Sequence, residues 1–103
     1  MRSAEMLDCK NLEPGAVIDV ETTSRHYRIE CLGGNTIRIS GHPQFCPTPV
    51  AAQLEGAVTS EGTLEEGMIE RGMRLAFLIA EHGSLTTTKV LNVQLADQAN
   101  SVH

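Results

Sequence analysis

The chain has 103 residues, the size of one domain, with 41% apolar residues and only three aromatics, Tyr27, Phe45 and Phe77. A formal net charge of −5 excludes a general affinity for nucleic-acid backbones or anionic membrane surfaces. No stretch approaches the ~20 apolar residues of a membrane span, so the expectation is one soluble cytoplasmic domain whose core is built from Ile, Leu, Val, Met and Ala.

Residues 1–13 read as a lead-in. Ser3 is placed to cap one or two helical turns with Met6, Leu7 and Leu12 facing inward, and Glu13-Pro14-Gly15 ends the stretch as a turn. No apolar run of signal-peptide type opens the chain. Residues 16–40 predict a meander of three half-buried antiparallel strands. Ile18, Val20 and Thr22 alternate with polar neighbours, as do Tyr27, Ile29 and Cys31, then Ile37 and Ile39. Facing residues of an antiparallel pair share a side of the sheet. A three-residue loop, Gly33 to Asn35, therefore sets Cys31 against Ile37 and Ile29 against Ile39 inside, and Glu30 against Arg38 outside.

Residues 41–53 hold Pro43, Pro47 and Pro49, which exclude a central strand or a helix interior and predict a stiff crossover. Residues 54–60 predict a short strand, and 61–67, with Glu61, Glu65 and Glu66, a solvated acidic loop. From Arg74 to Ala80, Leu75, Phe77 and Ile79 face one way while Ala76, Leu78 and Ala80 face the other. A strand apolar on both sides is either central or meets a partner. Glu81 to Ser84 reads as a hairpin loop, 85–95 as a returning strand rich in Thr and Val, and 96–103 as a fraying tail or helical turn. About five or six short strands with turns between them indicate an all-β fold, a small antiparallel barrel.

Few residues carry recognisable chemistry. His42 and Cys46 stand at a His-x3-Cys spacing in the stiff loop, with Cys31 upstream, and these three are the metal-ligand candidates. The Cys-x2-4-Cys pairs usual in structural zinc sites are missing, so packing is the weightier reading. The three cysteines are odd in number and irregularly spaced, which is no disulfide framework and suits a reducing compartment. Cys46 as a nucleophile needs a base or a helix N-terminus to lower its pKa, and a Pro-rich loop offers no helix. Gly33-Gly34 is not followed by a helix and so is no phosphate cradle. The run Thr86-Thr87-Thr88-Lys89 suits a strand through its branched side chains. As an anion site it is set aside, because a strand does not aim its N–H groups at one point.

The hairpin from Pro14-Gly15-Ala16-Val17-Ile18 to Tyr27-Arg28-Ile29 and the stretch Gly72-Met73-Arg74-Leu75-Ala76-Phe77 with Leu85-Thr86-Thr87-Thr88-Lys89-Val90 resemble the opening and closing hairpins of a split β-barrel. The likeness is to the small barrels beside PilZ domains in bacterial motility regulators and to one-domain bacterial barrels. The cyclic-dinucleotide signature of PilZ domains is absent, and the resemblance implies no ligand. The resulting expectation is a non-catalytic interaction or regulatory module. It would have no cofactor, and would associate as a homodimer or with another protein through Ala76, Leu78 and Ala80. A small-ligand or metal site at the His42–Cys46 loop is the alternative.

Overall fold

The structure, a computed structural model, describes residues 2–96. Its strands are β1 (Arg2–Ala4), β2 (Met6–Asp8), β3 (Val17–Thr22), β4 (His26–Gly33), β5 (Thr36–Ser40), β6 (Val50–Val58), β7 (Leu64–Glu66), β8 (Met68–Glu70), β9 (Arg74–Ile79) and β10 (Gly83–Leu95). All pairings are antiparallel. Six strands close on themselves in the order β3-β4-β5-β6-β9-β10, with β10 returning to β3. The expected all-β architecture is thus present as a ring.

The alternation read from residues 16–40 is what fills this ring. Ile18, Val20, Ile29, Cys31, Ile37 and Ile39 are fully buried. Cys31 faces Ile37, Ile29 faces Ile39 and Glu30 faces Arg38, the register expected from the sequence. A bulge between Cys31 and Gly33 tightens the connection, so Gly33 pairs with Thr36. Leu54, Leu75, Phe77, Ile79, Val90 and Val93 close the core from the other side. The Tyr27 and Phe77 rings meet edge to face at 6.0 Å, a favoured aromatic geometry. Eight-stranded rings are just wide enough to be filled by side chains. Six strands enclose less, and the inside of this ring is filled by packed side chains.

The structure corrects the sequence reading in four places. The lead-in is largely extended: β1 pairs with β10, and β2 pairs with β8. The expected helical turn is one 3-10 turn, Cys9–Asn11, capped by the Asp8 side chain rather than by Ser3. An isolated helical turn is unstable, and pairing with β8 satisfies the Met6–Asp8 backbone better. Leu7 and Leu12 pack on the core, whereas Met6 is half exposed.

Second, the crossover is shorter than residues 41–53. Strand β6 begins at Val50, directly after Pro49, because only the prolines themselves are barred from the ladder. The strand expected at 54–60 is the second half of β6, and Thr59 and Ser60 belong to the following turn. Third, residues 64–66 of the acidic loop form β7 against β6. Gly56 permits this approach: it has φ +144°, and a Cβ there would collide with the Glu65 carbonyl. Fourth, the strand, central between β6 and β10, ends at Ile79, and Ala80 lies in the following turn. The tail from 97 onward lies outside the described residues.

Strand β10 has 13 residues and turns a corner. Its first half pairs with β9 and its second half with β3 and β1. Register shifts fall between Thr86 and Lys89 and between Val90 and Asn92. Bulges of this kind bend a strand and redirect its side chains, and the first of them shapes the site described next.

Candidate functional site

The stiff loop is held by its own backbone. Gly41 N–H donates to the Cys46 carbonyl at 2.8 Å, and Cys46 N–H donates to the His42 carbonyl at 3.0 Å. Gly41 sits at φ +130° with its Cα against the start of β4, where a Cβ would collide with the His26 carbonyl. His42 Nδ1 accepts from Gln44 N–H at 3.1 Å and Phe45 N–H at 3.3 Å, so this nitrogen serves the turn. Desolvation, and then the charge of Arg25, hold the His42 pKa below its ordinary value, which keeps Nδ1 free to accept. The Phe45 ring lies between His42 and His82, at 4.7 and 5.0 Å.

Cys46 is fully buried, and burial pushes its thiol pKa up. That thiol is protonated at neutral pH and is a poor nucleophile. Cys31 faces the opposite end of the lead-in: its Sγ lies 2.9 Å from Cys9 Sγ. Among the described residues no group of three or more His, Cys, Asp or Glu is placed to hold a metal. His42, Cys46 and Cys31 are therefore not gathered into one ligand set.

Two of the acidic residues meet across strands. Glu70 on β8 has its pKa raised, first by desolvation and then by the neighbouring Glu65 carboxylate on β7. Glu70 Oε1 is buried without a partner. A carboxyl so placed favours its protonated form. Sequence reasoning groups Glu65 and Glu70 as paired carboxylates but reads them as solvated, because it treats residues 61–67 as loop.

The outer face of β9 is divided. Ala76 is buried at 4% exposure within the chain itself, Leu78 is 38% exposed, and Ala80 lies in the turn after the strand. The three do not make a continuous apolar face.

A different region gathers polar groups. A cleft of about 590 Å³ is bounded by the turn after β6 (Thr59, Ser60), the start of β9 (Arg74) and the bulged part of β10 (Thr86, Thr88, Lys89). Arg74 and Lys89 are direct cross-strand partners. The bulge makes them so: Thr87 turns inward, its hydroxyl donates to the Thr88 carbonyl at 2.7 Å and accepts from Leu75 N–H at 3.1 Å. That side chain stands in for a ladder bond, and Lys89 moves into register with Arg74. Across the cleft, Thr59 Oγ1 accepts from Glu61 N–H and Thr63 N–H and fixes the turn. Glu61 sits in that turn but not in the lining, and among the described residues no carboxylate lines the cleft. Among the described residues neither Arg74 nor Lys89 has a carboxylate within 4 Å.

Like charges directly opposite on a sheet destabilise it, and this chain has 13 acidic residues against 8 basic ones. Two cations set side by side, with no carboxylate against them among the described residues, are thus the arrangement that a bound anion would relieve. The sequence held half of the signal, the Thr-Thr-Thr-Lys run. The missing half was Arg74, whose register with Lys89 depends on the bulge.

No protein-family model, no curated protein and no solved structure matches the chain. The site is read from its chemistry.

Proposed function

We propose that this chain is a non-catalytic binding module that takes a small oxyanion-bearing ligand, such as a phosphorylated or carboxylated metabolite, in the cleft between Arg74 and Lys89. The observation that carries this reading is the cross-strand cation pair in a cleft lined by hydroxyls and, among the described residues, by no carboxylate. Arg offers a planar fork for two oxygens and Lys a point charge. Ser60 and Thr86, which are exposed, supply further donors. The filled ring interior and the protonated, buried Cys46 thiol support binding rather than catalysis. The module fits the likeness to small bacterial barrels noted above and the cytoplasmic setting expected from the sequence, both of which stay parts of this proposal.

Inorganic phosphate and pyrophosphate are the probes. At constant ionic strength they raise the melting temperature by mass action, with chloride as the control. In the Arg74→Gln/Lys89→Gln variant the rise disappears. An equal response to chloride, or a rise that survives in the variant, overturns the reading.

A second reading is association with another copy or another protein through the outside of β9 and β10. Leu78 and Leu91, 38% and 47% exposed, favour it. Sedimentation at micromolar concentration decides this reading: a single monomeric species ends it.

A further inference from the structure

Cys9 and Cys31 are far apart in the chain and adjacent in space. Cys9 opens the 3-10 turn that follows β2, and Cys31 lies on the inward face of β4. Both are fully buried. Each backbone is fixed on its own element: Cys9 N–H donates to the Gly67 carbonyl, Cys31 N–H donates to the Ala16 carbonyl, and the Cys31 carbonyl accepts from Gly15 N–H at 2.7 Å. The two sulfur atoms are 2.9 Å apart. That is closer than unbonded sulfurs ordinarily pack, and within about 1 Å of the roughly 2.05 Å of a disulfide bond. Two apolar side chains filling the same space would need no such approach, since a packed free cysteine behaves as a small hydrophobe.

We propose that Cys9 and Cys31 are a modification site at which a disulfide forms, tying the lead-in to the ring, with a small-molecule disulfide or a dithiol–disulfide exchange protein as the oxidant.

The chemistry is two successive exchanges. The Cys9 thiolate attacks one sulfur of the donor disulfide, forming a mixed disulfide and releasing one donor thiolate. The Cys31 thiolate then attacks Cys9 Sγ, closing the Cys9–Cys31 bond and releasing the second donor thiolate. The two protons of the cysteine thiols end on the two donor thiols, and two electrons pass from the protein to the donor. Cys9 reacts first because its short turn is the part that opens; the sulfur–sulfur contact, in which either thiol can be the donor, favours a thiolate on one cysteine while the other keeps its proton.

Access comes from the lead-in. The Cys9–Asn11 turn is a single 3-10 turn, and β2 holds it to β8 through three residue pairs. Opening of such a short element costs less than opening the ring. Cys46 is separate: it is buried in the Gly41–Cys46 loop and is a built-in control.

The full chain is refolded from denaturant with its thiols reduced, in one arm with oxidised glutathione and in the other with dithiothreitol. Each arm is then unfolded, alkylated and weighed. The oxidised arm is expected to be lighter by two hydrogens, to take up a single alkyl group on Cys46, and to yield a peptide cross-linked between Cys9 and Cys31. The reduced arm takes up alkyl groups on all three cysteines. Before alkylation, the oxidised fold is expected to melt about 10 °C or more above the reduced one, because the bridge restricts the unfolded chain. A Cys31→Ser change places a hydroxyl in the core and risks the fold, so Cys46→Ala serves as the variant: its oxidised form takes up no alkyl group. Three alkylated cysteines in the oxidised arm, a bridge to Cys46, or a stable glutathione adduct overturns the proposal.

Discussion

Two hairpins of the ring, β4–β5 and β9–β10, differ in how they use regularity. In β4–β5 the register runs evenly from Arg28–Ser40 to Cys31–Ile37, every inward residue is apolar, and the outward pair Glu30–Arg38 has opposite charges at 3.0 Å. In β9–β10 the register breaks between Thr86 and Lys89, a threonine turns inward, and the outward pair Arg74–Lys89 has like charges. Up to the bulge beside its turn, the first hairpin agrees with itself from alternation to charge. The second breaks two local rules at one place, and there the polar cleft lies. Natural sequences depart from local consistency mainly at functional or strained sites, so the irregular hairpin is where binding is sought and the regular one is where stability is sought.

That division can be broken by substitution, and the largest effect belongs to the regular hairpin. Ile29 is fully buried and faces Ile18 on one side and Ile39 on the other. Ile29→Ala is expected to cost about 3–4 kcal/mol, the transfer term plus the cavity term, measured by urea unfolding. Phosphate binding at the cleft should survive under conditions where the variant stays folded. A loss below about 1 kcal/mol would mean that the ring interior is not packed around this position.

The irregular hairpin predicts a smaller loss with a different signature. Thr87→Val keeps the shape but removes the oxygen that accepts from Leu75 N–H, leaving a buried donor unpaired. About 1–3 kcal/mol of stability should go. Because the same side chain sets the Arg74–Lys89 register, phosphate affinity should fall as well. Intact phosphate binding in Thr87→Val would separate the bulge from the site.

Next in size is the carboxylate pair beside the ring. Folding raises the Glu70 pKa, so the folded state holds a proton that the unfolded state gives up first. The associated stability is fully present below the unfolded pKa of about 4.3 and is lost as pH rises through the folded value. Glu70→Gln imitates the protonated form at every pH. It should therefore raise the melting temperature at pH 7 by about a few degrees and leave it nearly unchanged at pH 4. A variant that melts lower at pH 7 would mean that Glu70 is stabilising as a carboxylate.

The contrast between the hairpins also explains what was legible in the sequence. Residues 16–40 could be read to the register because one face is uniformly apolar, and a slip of one residue would expose it. Strands β2, β7 and β8 have three residues each, too few to show a period, and their pairing is decided by tertiary neighbours. The acidic stretch was misread for that reason, since Glu65 belongs to a strand only because Gly56 lets it approach. The strand after Pro49 was hidden by the prolines before it. The cation pair needed a bulge, and a bulge shifts register without leaving a mark as plain as an apolar alternation. Cys9 and Cys31 meet only once the lead-in is folded against β4, so spacing alone pointed to no pair.

The smallest effect tests whether charge complementarity separates the hairpins or only decorates them. Arg38 Nη1 and Glu30 Oε1 are 3.0 Å apart, with side chains 48% and 36% exposed. Exposed pairs of this kind are worth about 0.5 kcal/mol. A double-mutant cycle with Glu30→Gln and Arg38→Gln should return a favourable coupling of that size, reduced in 1 M salt by screening. The matching cycle on Arg74 and Lys89, with the same glutamine changes, should return a coupling of opposite sign, because removing either cation relieves repulsion in the ligand-free protein. Added phosphate should then erase or reverse that second coupling and leave the first untouched. If both cycles gave the same sign without phosphate, charge would not distinguish the two hairpins, and the case for an anion at the irregular one would lose its physical basis.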